Sequence, residues 1–404
     1  MTVPFDAGST LAEFDALTPQ VLRSRGSVKW TQYPGDVIAA WVAEMDLGTA
    51  PAVRIALEGA VRDTLLGYMP AGLALAARTA VSRFHEEAFG WPVPVEDVSL
   101  LPDVLSALAA LIEHHTRPGS AVIVPTPAYM PFLSIPGHRG RRCIEVPALR
   151  GMGDDPSWAL DLEAIEAAMA QGAGLLVLCN PWNPVGRVLS PAELDAVAAL
   201  STRYGVIVFA DEIHSPLVLD PTASHTPYAS RPTADPALTF TATAVSKGWN
   251  VPGLRCAQLI ASGPGRRAWQ SCPLSAGLDD QASVLGATAA VAALSPEGLA
   301  WNAVVRDYVR ANAELLARAL APVEGVEVTV PQGTYLAWLD CTGLGLPDGL
   351  SPAAFFRREP GVVMNAGRAF GAGYEDFCRL NLATGRAIEE QTVSRLLGAV
   401  AGLS

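Results

Sequence analysis

Three short apolar runs recur through the middle of the chain, and each stops at a polar cluster. Ala121-Val122-Ile123-Val124 stops at Pro125, Leu175-Leu176-Val177-Leu178-Cys179 at Asn180-Pro181, and Val206-Ile207-Val208-Phe209-Ala210 at Asp211-Glu212. None alternates apolar with polar residues, so these strands are built to be buried on both faces. Helical patterns lie between them, at 162–170 and 191–204. The second opens with Ser190-Pro191-Ala192-Glu193, an N-cap followed by proline at the first helical position and glutamate at the third. Strand and helix in this alternation predict an α/β fold around a mainly parallel sheet. Ligands bind such sheets at the carboxyl ends of the strands. Asn180 to Asn183, Asp211 to His214 and the pair Ser246-Lys247 are therefore expected along one edge.

The last third reads differently. A long helix is expected from about Pro296 to Leu320, strands near 326–330, 334–339 and 377–382, and a helix near 351–358. The Ala-rich stretches 71–80 and 287–293 also read as helices. This gives an N-terminal arm with part of a small domain (1–50), a large domain (51–290) and a C-terminal α+β small domain (291–404).

Composition narrows the function. The chain has 404 residues, 50% of them hydrophobic, enough for a large core and about two domains. A net charge of −12 with no long basic run argues against nucleic acid as a partner. The six cysteines form no CxxC pair and read as free thiols. The histidines show no metal-ligand spacing, and no metal is expected. No signal-like N-terminus and no unbroken apolar span of membrane length is seen, so a cytoplasmic protein is expected. No Gly-x-Gly-x-x-Gly follows a strand, which disfavours a nicotinamide dehydrogenase.

Lys247 carries the most chemistry. It follows Ser246, and Arg255 comes eight residues later. An amine that must condense with a carbonyl needs partial desolvation to lower its pKa, and a phosphate beside it needs the hydroxyl and a fixed positive fork. Together these demands suggest pyridoxal phosphate. Asp211, closing an apolar strand, is either an N-cap or a paired functional charge.

In their order and spacing, Asn180-Pro-Trp-Asn183-Pro-Val-Gly186-Arg187, Asp211-Glu212-Ile213-His214, Ser246-Lys247 with Arg255, and Arg379-Leu380-Asn381 resemble fold-type I pyridoxal-phosphate enzymes of the aspartate-aminotransferase kind, with a seven-stranded sheet in the large domain. Lys29-Trp30, Trp41 to Asp46, Gly67-Tyr68 and the Asp-Glu-Ile-His tetrapeptide resemble the MalY/PatB-type cystathionine β-lyases within that superfamily. The resemblance covers roughly residues 25–400.

It implies Lys247 as the Schiff-base lysine and proton shuttle, Asp211 as partner of the pyridinium nitrogen, and Asn183 as hydrogen-bond partner of the ring's phenolic oxygen. Tyr129 would stack on the ring. The backbone of Val104 and Leu105 at a helix start, with Ser246 and Arg255, would hold the phosphate. Tyr68 matches a second catalytic residue that reaches the phosphate of the neighbouring subunit, which implies a homodimer with sites at the interface. Arg379, with Asn183 and Tyr129, would bind the substrate, Arg379 gripping its α-carboxylate. His214 would either lie near Asp211 and tune its hydrogen bonds or be a loop residue. Two positions depart from the pattern: Asp103 stands where relatives carry a small residue, as an N-cap or as a negative charge near the phosphate, and Ala244 replaces a serine that Thr243 could stand in for. Whether Trp182 and Trp249 face the pocket is open.

The implied reaction is α,β-elimination from L-cystathionine or another L-cysteine S-conjugate, giving a thiol, pyruvate and ammonia. The alternatives are an aminotransferase using the same residues, and a regulatory protein that retains the cofactor.

Overall fold

The structure, a computed structural model, describes residues 5–151, 158–347, 349–358 and 361–403. A seven-stranded sheet runs in the order Val98–Leu101, Ala257–Ile260, Thr239–Thr243, Ile207–Asp211, Leu175–Cys179, Val122–Thr126, Cys143–Pro147. Ala257–Ile260 is antiparallel to both neighbours, and the remaining pairings are parallel.

The apolar runs bury both faces as expected. Ile123, Leu176, Leu178 and Val208 pack with Ile165, Met169, Leu194 and Val197 of two helices. Their neighbours Val122, Val124, Leu175, Val177 and Phe209 point the other way, against Leu108, Leu111, Phe132 and Trp269. Leu162–Ala170 and Pro191–Tyr204 are helices with the expected bounds, and Ser190 and Glu193 form a full capping box. Pro125 does not end its strand. The ladder to Leu175–Cys179 involves only Val122 and Ile123, so proline sits where that side is already unpaired.

Downstream, the helix Pro296–Leu320 precedes a four-stranded antiparallel sheet ordered Glu327–Thr329, Leu336–Asp340, Phe377–Asn381, Asn365–Ala366. The N-terminal segment joins this part: Ile38–Ala39 pairs in parallel with Val362–Val363, and Asn381 N donates to the Ala40 carbonyl at 2.9 Å. Among the described residues, no single helix is long and apolar enough to cross a membrane.

Candidate active site

At the carboxyl ends of the central strands lies a cleft of about 170 Å³, whose lining includes Val104, Leu105, Tyr129, Asn183, Asp211, His214, Ser246, Lys247 and Arg255. Arg379 reaches its edge, donating from Nη1 to Asn183 Oδ1 at 3.0 Å. Ten of the eleven expected site residues thus converge. Tyr68 does not: it is 100% exposed, on the connection between the helices Pro51–Arg62 and Ala71–Phe89.

Lys247 lies on a single helical turn, Val245–Gly248, after the extended Ala244, and not at the strand end itself. Its Nζ donates to the Ala43 carbonyl at 2.7 Å. Burial, reinforced by the charge of Arg379, lowers its pKa to about 8, although Asp211 and Glu44 pull it back up. That lowering raises the neutral fraction near neutrality, which a nucleophilic amine needs.

Asp211 is buried at the end of its strand. Its Oδ1 accepts the Ile213 N–H at 3.3 Å, and the Cys179 thiol lies 3.8 Å from Oδ2. Burial pushes its carboxyl up to about 7, with the Ile213 N–H and the Lys247 charge opposing. Cys179 is its ladder partner in the adjacent parallel strand, a neighbour the sequence signals only once the register is known. His214 is corrected here: it makes no hydrogen bond to Asp211. Its ring meets Tyr335 edge-on at 5.9 Å, its buried Nδ1 has no partner among the described residues, and burial holds its pKa well below the usual value.

Beside Val104, Leu105 and Arg255 in the cleft lining, Asp103 is an N-cap: Oδ1 accepts Ser106 N and Oγ, both at 2.7 Å. Its Oδ2 meanwhile receives Arg255 Nη2 at 2.7 Å, which offsets the added negative charge. Thr243 does not replace the missing serine. Ala244 lines the cleft, and alternation turns Thr243 to the opposite face. Trp182 and Trp249 are buried elsewhere, donating to the carbonyls of Pro127 and Gly298.

The N-terminal segment forms one wall, held by residues that sequence reasoning did not assign. Tyr335 Oη donates to the Ala43 carbonyl at 2.8 Å, and Asn381 Nδ2 to the carbonyls of Val42 and Glu44. Asn250, at φ 56°, bonds Met45 N and the carbonyls of Met45 and Gly48. The buried Lys29–Asp46 ion pair (3.0 Å) and the Trp30 Nε1 bond to Asp46 Oδ1 anchor the same segment.

The sequence profile of aminotransferase class I and II matches residues 32–400. The chain belongs to the class I and II aminotransferase family. Within this family, a Corynebacterium glutamicum protein named cystathionine β-lyase is 37% identical over 93% of this chain and 97% of its own length. Cystathionine β-lyase PatB of Bacillus subtilis is 30% identical over 93% and 96%. A Corynebacterium diphtheriae crystal structure, provisionally described as a PLP-dependent β-cystathionase, superposes with a TM-score of 0.87 at 37% identity, covering 95% of this chain and 98% of that one.

The residues fit pyridoxal phosphate. Asp211 is a buried carboxyl with no cationic hydrogen-bond partner among the described residues. Asn183 spends its oxygen on Arg379 and has no partner for its NH₂ among the described residues. Val104 and Leu105, at the start of the helix Val104–Ala110, and Ser246 line the cleft, and free N–H groups at a helix start together with a hydroxyl suit a phosphate.

Proposed function

We propose that the protein is a pyridoxal-phosphate-dependent carbon–sulfur β-lyase that cleaves L-cystathionine or another L-cysteine S-conjugate. One observation carries the reading: the Lys247 amine of lowered pKa and the buried Asp211 carboxyl line one cleft, with the buried Arg379 guanidinium bonded to Asn183 at its edge, each without an ion-pair partner among the described residues. The names of the relatives support elimination as the outcome.

When bound, the cofactor supplies an electron sink for the pair left by loss of the α-proton. Asp211 would pair with the cofactor's ring nitrogen, whose positive charge would compensate the cost of burying the carboxylate. Asn183 would donate to the ring oxygen, and Tyr129 would lie against the ring. Val104 N, Leu105 N, Ser246 and Arg255 would hold the phosphate. Arg379 binds the substrate α-carboxylate. Lys247 Nζ takes the α-proton. The β-carbon–sulfur bond breaks and the thiolate leaves. Hydrolysis completes the balance: L-cystathionine plus water gives homocysteine, pyruvate and ammonia. In this reading the protein is a cytoplasmic homodimer, with Tyr68 of each subunit at the other's phosphate, and domain limits near 50 and 290.

An absorbance band near ~420 nm that borohydride and Lys247→Ala both remove tests the cofactor assignment. Its absence from cofactor-treated protein contradicts it.

A further inference from the structure

Asn365 and Arg379 are direct partners in the antiparallel ladder between Asn365–Ala366 and Phe377–Asn381. That register puts both side chains on one face of the sheet, and Arg379 Nη2 donates to Asn365 Oδ1 at 2.7 Å. Arginine has donors only, so the amide must present its oxygen. The other acceptors on the guanidinium are Asn183 Oδ1 at 3.0 Å and the Trp41 carbonyl at 3.2 Å. The Phe370 ring lies 4.9 Å from the guanidinium carbon. Every one of these contacts is neutral, and no carboxylate pairs with Arg379 among the described residues. A guanidinium only 3% exposed is ordinarily paired with an acid. Here carbonyl dipoles fix its orientation while the charge is left over.

We propose that Asn365 is a specificity-determining positioning residue: it aims Arg379 with a neutral oxygen, so the guanidinium keeps its charge for the α-carboxylate of an amino-acid substrate. The inference rests on the role given to Arg379 above. An aspartate at 365 would have the same shape and reach. It would form a charge-assisted pair with Nη2 and oppose the incoming carboxylate with like charge.

The test uses cofactor-loaded enzyme and L-alanine, which has the α-carboxylate but no leaving group, with binding read from the change in cofactor absorbance. Asn365→Asp is expected to weaken L-alanine at least about tenfold, the loss of one charge-assisted contact. KM for cystathionine should rise in parallel, and cofactor affinity for the apoprotein should stay unchanged. Asn365→Ala should lose less than Asn365→Asp, the reverse of what a packing role gives. Wild-type affinity in the aspartate variant, or an equal loss in the alanine variant, overturns the inference. Asn365→Gln, which keeps a neutral amide, should bind L-alanine more tightly than Asn365→Ala, and equal affinities overturn the inference even if the aspartate variant does not fold. Wild-type protein that binds L-alanine but releases no thiol would remove the β-lyase reading and leave this inference standing.

Discussion

At the scale of single residues, two titratable groups shape the cleft, the buried Asp211 and the half-buried Lys247, and their pKa directions set a pH signature. The Asp211 carboxyl, held at about 7 by burial, is easier to protonate in the folded protein than in the unfolded chain. From about pH 4 to about pH 7 the folded cofactor-free form binds more protons, so the contribution of Asp211 to stability falls as pH rises. Asp211→Asn removes that slope. Its melting temperature relative to the cofactor-free wild type should increase steadily across this window, and a constant difference would contradict the assignment. Lys247, lowered to about 8, acts in the opposite sense: its contribution grows from about pH 8 towards about pH 10.5. Lys247, Asp211 and Asn183 were legible in the sequence because each is polar and follows a β-type run or its turn. Cys179, Asn365 and the Ala43 carbonyl were not. Their roles come from strand register and from a chain crossing about two hundred residues distant in sequence, which no local pattern records.

At the scale of elements, local chemistry and structure agree where caps and periodicity are strong. Pro296–Leu320 and Pro191–Tyr204 have the expected bounds, because Ser295 and Ser190 cap them and proline opens both. The reading was weaker at Ser246-Lys247, where a four-residue turn carries too little pattern to be told from the strand end. The segment 41–49 has no regular structure, and its place over Lys247 depends on long-range bonds. Asn250 makes three of these and also adopts a left-handed conformation that asparagine tolerates better than most residues. Asn250→Ala should therefore cost about 1–3 kcal/mol, read as a lowered denaturant midpoint at unchanged slope. A change near zero would mean the segment is held without it.

At the scale of the whole molecule, the sheet class and the α+β character of the last third were readable from alternation, while the pairing of Ile38–Ala39 with Val362–Val363 was not. Tyr68 is fully exposed, and Ile55, Val61, Leu66 and Leu75 are exposed nearby in sequence, which suits a surface that a second copy covers. Subunit mixing tests this. If Tyr68 serves the neighbouring site, Lys247→Ala and Tyr68→Phe proteins refolded together form hybrids with one intact site each. With random pairing that restores about a quarter of wild-type activity. Recovery no greater than the sum of the separate variants contradicts a shared site.

The most direct test of the central claim is product analysis with L-cystathionine. Wild-type holoenzyme should release pyruvate and free thiol in equal amounts, and Lys247→Ala should release neither. Transfer of the amino group to a keto acid without thiol release would contradict the account.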